Sequence, residues 1–277
     1  MKDQFVIACV ESAADAAVVL PWVRHFAEHL NHKGVMALHV ESEKRKEERG
    51  KSDEWLKALG VPYVSLQGDW RTAIEGLPTA FNGILAVVAV NPSAPRTSLN
   101  HPKRLLHEFK NCKTAYLCVS DERGVMNDEY SSLNTHHCQR CALTMTHRRE
   151  GKELLVWASY LARFLGSRIT IAHPDYRDEG LRQRWQNNMR FVDKMFTPLN
   201  ISHSSFIIHN SSLITPPDLR TLDLLKPDLL IARTSDTRER DLLDLLMPLP
   251  EWRLLTHPSR TPILFLNPRD DLYILCD

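Results

Sequence analysis

Short apolar runs and longer stretches with a single apolar face take turns along this chain, and their order predicts its elements. Phe5–Val10 is an apolar, β-rich run, and from Ala16 to Leu30 the residues Val19, Val23, Phe26 and Leu30 recur at helical spacing. Val35–Val40 predicts a second strand. Glu41–Lys57 is charged and reads as a loop and an exposed helix, with Trp55 and Leu59 on its apolar side. Val61–Leu66 and Gly83–Val90 predict strands three and four, separated by a short helix over Trp70–Leu77. A helix over Lys103–Phe109 then leads to a fifth strand at Thr114–Val119.

The same order starts again after residue 139. Ala142–Thr146 is the first strand, Glu153–Leu165 an amphipathic helix, and Arg168–His173 the second strand. From Leu181 onward, Trp185, Met189, Val192 and Phe196 step along one helical face. Ser204–Ile208 and Asp228–Ala232 are strands, and Leu242–Leu255 is helical but interrupted by Pro248 and Pro250, since proline cannot donate the helical bond. Thr261–Leu266 closes the series. Locally, Ala27–Leu30 before Val35–His39 resembles Ala162–Leu165 before Ile169–His173, helix then strand with the same closing histidine, which points to duplication. Strands that alternate with helices need crossover connections, so each half predicts a five-stranded parallel sheet with helices on both faces. The polar stretch from Ser120 to Gln139 lacks apolar periodicity. The expected division is a first domain at 1–122, a linker at 123–139 and a second domain at 140–277.

Composition narrows the function classes. A hydrophobic share of 43% with 25% charged residues predicts a packed core rather than disorder. Lys and Arg number 35 against 34 Asp and Glu, so the chain has no basic surplus of the kind that neutralises nucleic-acid phosphates. The run from Glu43 to Lys51 mixes both signs and reads as a solvated face. No apolar stretch approaches the roughly 20 residues that span a bilayer, and Phe5–Val10 is too short for a signal-peptide core, so a cytoplasmic protein without membrane insertion is expected. Six cysteines in a chain of this length do not make a disulfide scaffold.

In the order of its elements and in several local patterns the chain resembles the universal stress protein family in its tandem form. The first strand is followed by Glu11, Ser12 and Ala13, where the family has Asp-Gly-Ser. The second strand ends in His39 and Val40, like the family's His-Val. An Asp precedes the fourth strand of the second half at Asp228, and the last strand carries Thr261, Pro262, Ile263 and Leu264, similar to the family's Pro-Val-Leu. The resemblance implies a Rossmann-like α/β fold of the adenine nucleotide alpha hydrolase type, with Glu11, Val40, Asn91 and Arg233 at pocket positions. It also implies an internal pseudo-dimer in which Thr114–Val119 and Thr261–Leu266 pair antiparallel, as fifth strands do in the family's homodimers; a homodimer of the whole chain is a further option. ATP-binding members carry spaced glycines after the fourth strand, because glycine lets backbone amides approach phosphates ahead of a helix N-terminus. Here Asn91–Asn100 contains no glycine, Arg233–Asp241 contains none, and Leu249 and Pro250 stand near the expected Gly-Ser. The usual mode of ATP or AMP binding is therefore disfavoured and no cofactor is expected.

Other residues carry chemistry in principle. Cys138 and Cys141, preceded by His136 and His137, have the spacing of a half zinc site, but no second Cys-x-x-Cys accompanies them; the alternative is two thiols entering a strand. Glu11 can contact a ligand at the carboxyl edge of a parallel sheet or simply sit near a helix N-terminus, favoured by its dipole. His39 and His173 hold matching positions, where a satisfied half-buried histidine is the simpler reading than a base. Arg233, Arg238 and Arg240 can bind an anion through side chains. No nucleophile elbow, phosphate-binding Gly-Lys-Ser/Thr loop or His-Glu-x-x-His helix occurs. The expectation is a non-enzymatic stress-response protein acting by contacts with an unidentified protein or by sensing a small ligand. The alternatives are a weak ATPase with a degenerate pocket and a regulatory module for a transporter or kinase.

Overall fold

The central apolar runs of the sequence become strands buried on both faces, since parallel strands covered on both sides need continuous apolar sequence, while the two edge strands, over 63–67 and 203–208, stay partly exposed. The computed structural model describes residues 4–41, 49–120, 138–146, 152–209, 217–234 and 250–267. In the first half, β1 (Phe5–Cys9), β2 (Gly34–Glu41), β3 (Tyr63–Gln67), β4 (Gly83–Val90) and β5 (Ala115–Ser120) alternate with α1 (Ala13–His29), α2 (Arg49–Ala58), the short α3 (Trp70–Glu75) and α4 (Leu77–Ala80), and α5 (Pro102–Glu108). In the second, β6 (Arg140–Thr144), β7 (Arg168–Pro174), β8 (His203–Ile208), β9 (Leu229–Arg233) and β10 (Ile263–Leu266) alternate with α6 (Lys152–Leu165), α7 (Glu179–Phe196), α8 (Pro217–Leu225) and α9 (Pro250–Leu255).

The strands form one ten-stranded sheet in the order β3-β2-β1-β4-β5-β10-β9-β6-β7-β8. All pairings within each half are parallel, and the one antiparallel pairing joins β5 to β10. Side chains alternate across the sheet, so Val6, Ala8, Leu85 and Val87 pack beneath α1 and α6, while Ile7, Cys9, Ala86 and Val88 pack against the α3, α5 and α8 side. Gly83 opens β4 where a Cβ would meet Ile7 Cδ1 at 2.6 Å and the Leu77 carbonyl at 3.1 Å, so a side chain there is excluded by packing.

The strand registers define the repeat. Phe5 pairs with Gly34, and Arg140 with Arg168, so His39 and His173 are equivalent. Val6 pairs with Leu85 and Cys141 with Leu229, which makes Tyr116 equivalent to Ile263 and Leu117 to Leu264. Across the junction Leu117 faces Leu264, with Ile263 opposite Cys118 and Phe265 opposite Tyr116. A residue paired with its own counterpart marks a pseudo-twofold axis, so the junction is self-complementary in the way of a symmetric dimer interface. Side-chain bonds repeat too: Thr114 Oγ1 donates to the Gly83 carbonyl and Thr261 Oγ1 to that of Pro227, equivalent positions at the same 3.3–3.4 Å spacing. The junction is further closed by aromatic packing of Tyr116 on Phe109 and Phe265, and by Asn267, whose Nδ2 donates to the carbonyls of Phe109 and Cys112 in the first half.

The structure moves some elements. α1 starts at Ala13 rather than Ala16, because Ser12 caps it and accepts the Asp15 amide, and it runs through Pro21. β6 occupies Arg140–Thr144 rather than 142–146, anchored by the Arg140–Asp228 ion pair at 2.8 Å. α8 falls where the sequence pattern gives no element. Of the expected helix over 242–255, α9 at Pro250–Leu255 is observed, with proline in its first turn, and 242–249 lie outside the described residues. Residues 123–137 of the expected linker lie outside them as well. No described helix is long and apolar enough to cross a membrane.

Candidate functional site at the carboxyl edge of the first half

Parallel α/β sheets present their loops and helix starts at the carboxyl ends of the strands, and β1 and β4 deliver one polar cluster there. The chain leaves β1 through Val10, whose amide donates to the Leu38 carbonyl, and turns into α1 at Glu11 and Ser12. The Glu11 amide donates to Asp15 Oδ2 at 3.1 Å while the Asp15 amide donates to Ser12 Oγ at 3.2 Å, a reciprocal cap that puts both carboxylates at the positive end of the helix. Trp70, 2% exposed at the start of α3, donates its indole N–H to Glu11 Oε1 at 3.1 Å. Asp69, the cap of α3, orients that turn; its carboxyl is held below the usual carboxylate range by the backbone and side-chain hydrogen bonds of Thr72. From the loop after β4, Ser98 Oγ donates to Glu11 Oε2 at 2.6 Å and Asn100 Nδ2 to Asp15 Oδ1 at 2.5 Å.

That loop folds back on its own polar groups. Asn91 N donates to the Asn100 carbonyl, Ser93 N to Asn91 Oδ1, Ala94 N to the Asn91 carbonyl, Ser98 N to the Pro95 carbonyl and Asn100 N to Ser98 Oγ. Pro92 and Pro95 have no N–H to offer. Five of the amides that a phosphate-cradling loop would direct outward are thus engaged inside it. Arg104 reaches back from α5 to the Thr97 carbonyl and ties the loop to the helix that follows.

Of the residues singled out in the sequence, Glu11 and Asn91 meet at this edge, and Val40 lies beside them, buried in the same apolar cluster as Trp70. Arg233 is elsewhere. It ends β9 opposite Leu266, and its register equivalent is Ala89 inside β4, so it precedes the second half's loop instead of standing in it. Arg238 and Arg240 lie outside the described residues. Glu11 has Thr146 as its second-half equivalent, whose carbonyl accepts from Asn188, and Val40 has Pro174. Among the described residues, then, neither Glu11 nor Val40 has a counterpart of the same type in the second half.

Cys138 just before β6 and Cys141 within it are both buried. Burial pushes the Cys141 thiol up to about 12 and Cys138 well above its ordinary value. The Cys141 thiol donates to the Cys138 carbonyl, which also accepts from Ser167 Oγ. His136 and His137 lie outside the described residues, among which no three His, Cys, Asp or Glu side chains are grouped as metal ligands. His39 and His173 are each buried against a tryptophan, His39 edge-on to Trp55 at 5.4 Å and His173 stacked on Trp185 at 4.0 Å. His39 Nδ1 lies 2.9 Å from the Val10 carbonyl and His173 Nδ1 lies 3.0 Å from that of Pro174. Burial holds the His173 imidazole below its ordinary value, as for a packed neutral ring.

Sequence reasoning missed Trp70, Ser98, Asp15 and Asn100 as partners of Glu11. The Ser12-to-Asp15 spacing is a local capping signal, but nothing local links Trp70 or Ser98 to a residue 59 or 87 positions away.

No family profile matches the chain, and no curated protein matches it. Solved structures do. A universal stress protein from Archaeoglobus fulgidus DSM 4304 superposes with a TM-score of 0.63 at 11% identity, over 97% of this chain and 98% of that one. A protein assigned to the same family in Pseudomonas aeruginosa UCBPP-PA14 gives 0.57 at 15%, covering 98% and 95%. The cytoplasmic domain of a prokaryotic cation chloride cotransporter gives 0.52 at 13%, covering 95% of each. At these identities the likeness is one of fold, and over nearly full length the fold is that of tandem universal stress proteins.

Proposed function

Taking that fold as the premise, we propose that the chain is a non-enzymatic regulatory protein of the stress-response type, and that its first half has given up the usual phosphate-cradling mode of nucleotide binding. One observation carries the reading: the loop after β4 spends its amides on itself while Trp70 and Ser98 occupy the carboxylate that follows β1. A triphosphate needs several outward-facing amides at a helix N-terminus. Asn91–Asn100 would have to unfold its own turn to supply them. Binding to the native state alone raises the unfolding midpoint once ligand greatly exceeds its dissociation constant. The expected result is an unchanged midpoint with millimolar ATP or AMP, measured in EDTA; a concentration-dependent rise would overturn the reading and favour a nucleotide-binding protein.

A second reading is favoured by the likeness to the cotransporter's cytoplasmic domain, which covers 95% of both chains. On it, the chain regulates a membrane transporter through protein contacts. Recovery of a defined transporter in stoichiometric complex with the chain is the expected observation, and transport unchanged by adding the purified chain to that transporter would count against it.

A further inference from the structure

Helix α6 turns apolar side chains to solvent as well as to the core. Leu154, Leu155, Ala158 and Leu161 are buried in the core, yet Val156 is 45% exposed and Tyr160 49%. With Phe164 these two stand at i, i+4 and i+8, one ridge about 12 Å long on the outer face. The ring of Tyr160 lies 6.0 Å from that of Trp157 and 5.7 Å from that of Phe164, centroid to centroid. On α7, Phe191 is exposed too, with Lys152 Nζ 5.9 Å from its ring. Among the described residues the exposed large apolar side chains all belong to the second half. Matching Ala27–Leu30 to Ala162–Leu165 makes His25 the counterpart of Tyr160, and His25 is buried. The repeat thus does not require an exposed ring here, and contiguous apolar patches of this kind mark interaction sites.

The charges beside the ridge are of one sign. Lys152 reaches Phe191, so its side of α6 faces α7. Arg163, about three turns on, lies on that same side, its guanidinium 5.5 Å from the Phe164 ring. Arg184 and Lys194 are exposed on the side of α7 that carries Phe191. Arg163, Arg184 and Lys194 have no ion-pair partner among the described residues. The acids of these two helices are engaged or turned away. Glu179 pairs with Arg182 at 3.2 Å, Asp193 with His203 at 3.1 Å, Asp178 caps α7, and both carboxylate oxygens of Glu153 are buried. From this we infer that the outer face of α6, with the facing side of α7, docks an acidic amphipathic helix of a partner protein. Apolar residues of that helix at i, i+3 or i+4, and i+7 lie along Val156, Tyr160 and Phe164. Its Asp and Glu residues on the α7 side meet Lys152, Arg163, Arg184 and Lys194. A ridge of about two helical turns with charge along one side suits a rod laid beside it better than a planar bilayer. The inference supplies a surface for the protein contacts proposed above, and its experiment contains neither nucleotide nor transporter, so each can fail alone.

Selection from a displayed library of short amphipathic helices, with polar positions randomised over Asp, Glu, Lys, Arg, Ser and Gln, against the folded full chain tests it. The expected winners carry Asp and Glu along one flank of the apolar stripe. A labelled synthetic peptide of the winning sequence should bind saturably in fluorescence anisotropy and more weakly as salt is added. Tyr160→Ala should weaken it about tenfold or more, as loss of a central aromatic contact does. Arg163→Glu should weaken the acidic peptide as well and improve binding of its Lys-substituted counterpart. Both side chains are exposed, so neither variant should lose its fold, which an unchanged Tm verifies. Winners that are neutral or basic, no winner above background, or binding that survives both Tyr160→Ala and Arg163→Glu would overturn the inference. Two other occupants would overturn it too. A dimer in sedimentation that Tyr160→Ala splits would assign the face to a second copy, and Tyr160-dependent sedimentation with phosphatidylserine vesicles would assign it to lipid.

Discussion

Leu117 and Leu264 are the same residue of the two repeats, they face one another on the pseudo-twofold axis, and both are fully buried. Truncating either to Ala should therefore cost nearly the same. Full burial of a leucine is worth about 1.5–3 kcal/mol, and the cavity left between two fixed strands brings the expected loss to about 3 kcal/mol. For a domain of this size that lowers Tm by about 6–12 °C. The double variant should cost less than the sum, by about 0.5–1.5 kcal/mol, because the second truncation enlarges a void already made. Urea unfolding followed by tryptophan fluorescence and far-UV circular dichroism measures all three. Trp22, Trp55 and Trp70 report the first half and Trp157, Trp185 and Trp252 the second, so fluorescence sees both. A junction that couples the halves gives coincident transitions that move together. The reasoning fails if Leu117→Ala shifts only one of two separate transitions, or if either single truncation costs less than about 1 kcal/mol.

Two further outcomes follow from buried titratable groups. Burial first, and then the charge of Glu251, push the Asp218 carboxyl up to about 6 from its ordinary 3.8 despite a hydrogen bond with Thr144. The folded state then holds this proton more tightly than the unfolded one, so the group's stabilising contribution is full below pH 3.8 and is lost as pH rises through about 6. Asp218→Asn should gain on the wild type across that window, by up to about 3 kcal/mol at neutral pH; an unfolding free-energy difference that does not vary with pH would refute the assignment. Separately, Cys9, Cys112, Cys118, Cys138 and Cys141 are all buried, and for each the thiolate is disfavoured. A thiol reagent, read by peptide mass mapping, should modify them only at the rate of opening, and fast native labelling of Cys138 or Cys141 would show a reactive pair.

Most of the architecture was legible because it is written in local patterns. A strand buried on both faces must be apolar throughout, which is why Phe5–Val10, Gly83–Val90 and Thr261–Leu266 announce themselves, and the two halves share one period. The antiparallel meeting of β5 and β10 came from the resemblance, and the register then placed Leu117 on Leu264. α8 was not legible: it has nine residues, starts at the second of two adjacent prolines and packs through Leu219 and Leu222, too little for a period to show. β6 starts two residues ahead of its apolar run because its outer end is held by the Arg140–Asp228 ion pair, which apolar patterning does not register. The site was legible only in part. Glu11 stood out by its place after β1, whereas the groups that occupy it arrive through tertiary contacts.

Comparing the halves within the chain separates what the fold requires from what it leaves free. The threonines before β5 and β10 make the same bond to the strand beside them, and the histidines ending β2 and β7 each pack on a tryptophan of the next helix. These repeat because each half has the same sheet edge to close and the same strand ends to cover. At the carboxyl edge of β1 the described residues differ between the halves. Glu11 becomes Thr146 and Val40 becomes Pro174. In the first half Glu11 and Asp15 accept four hydrogen bonds there, while Asn100 Oδ1 is buried without a partner. What the sheet and its covering helices require is common to both halves, and the sequences part where the chain leaves β1 and β6.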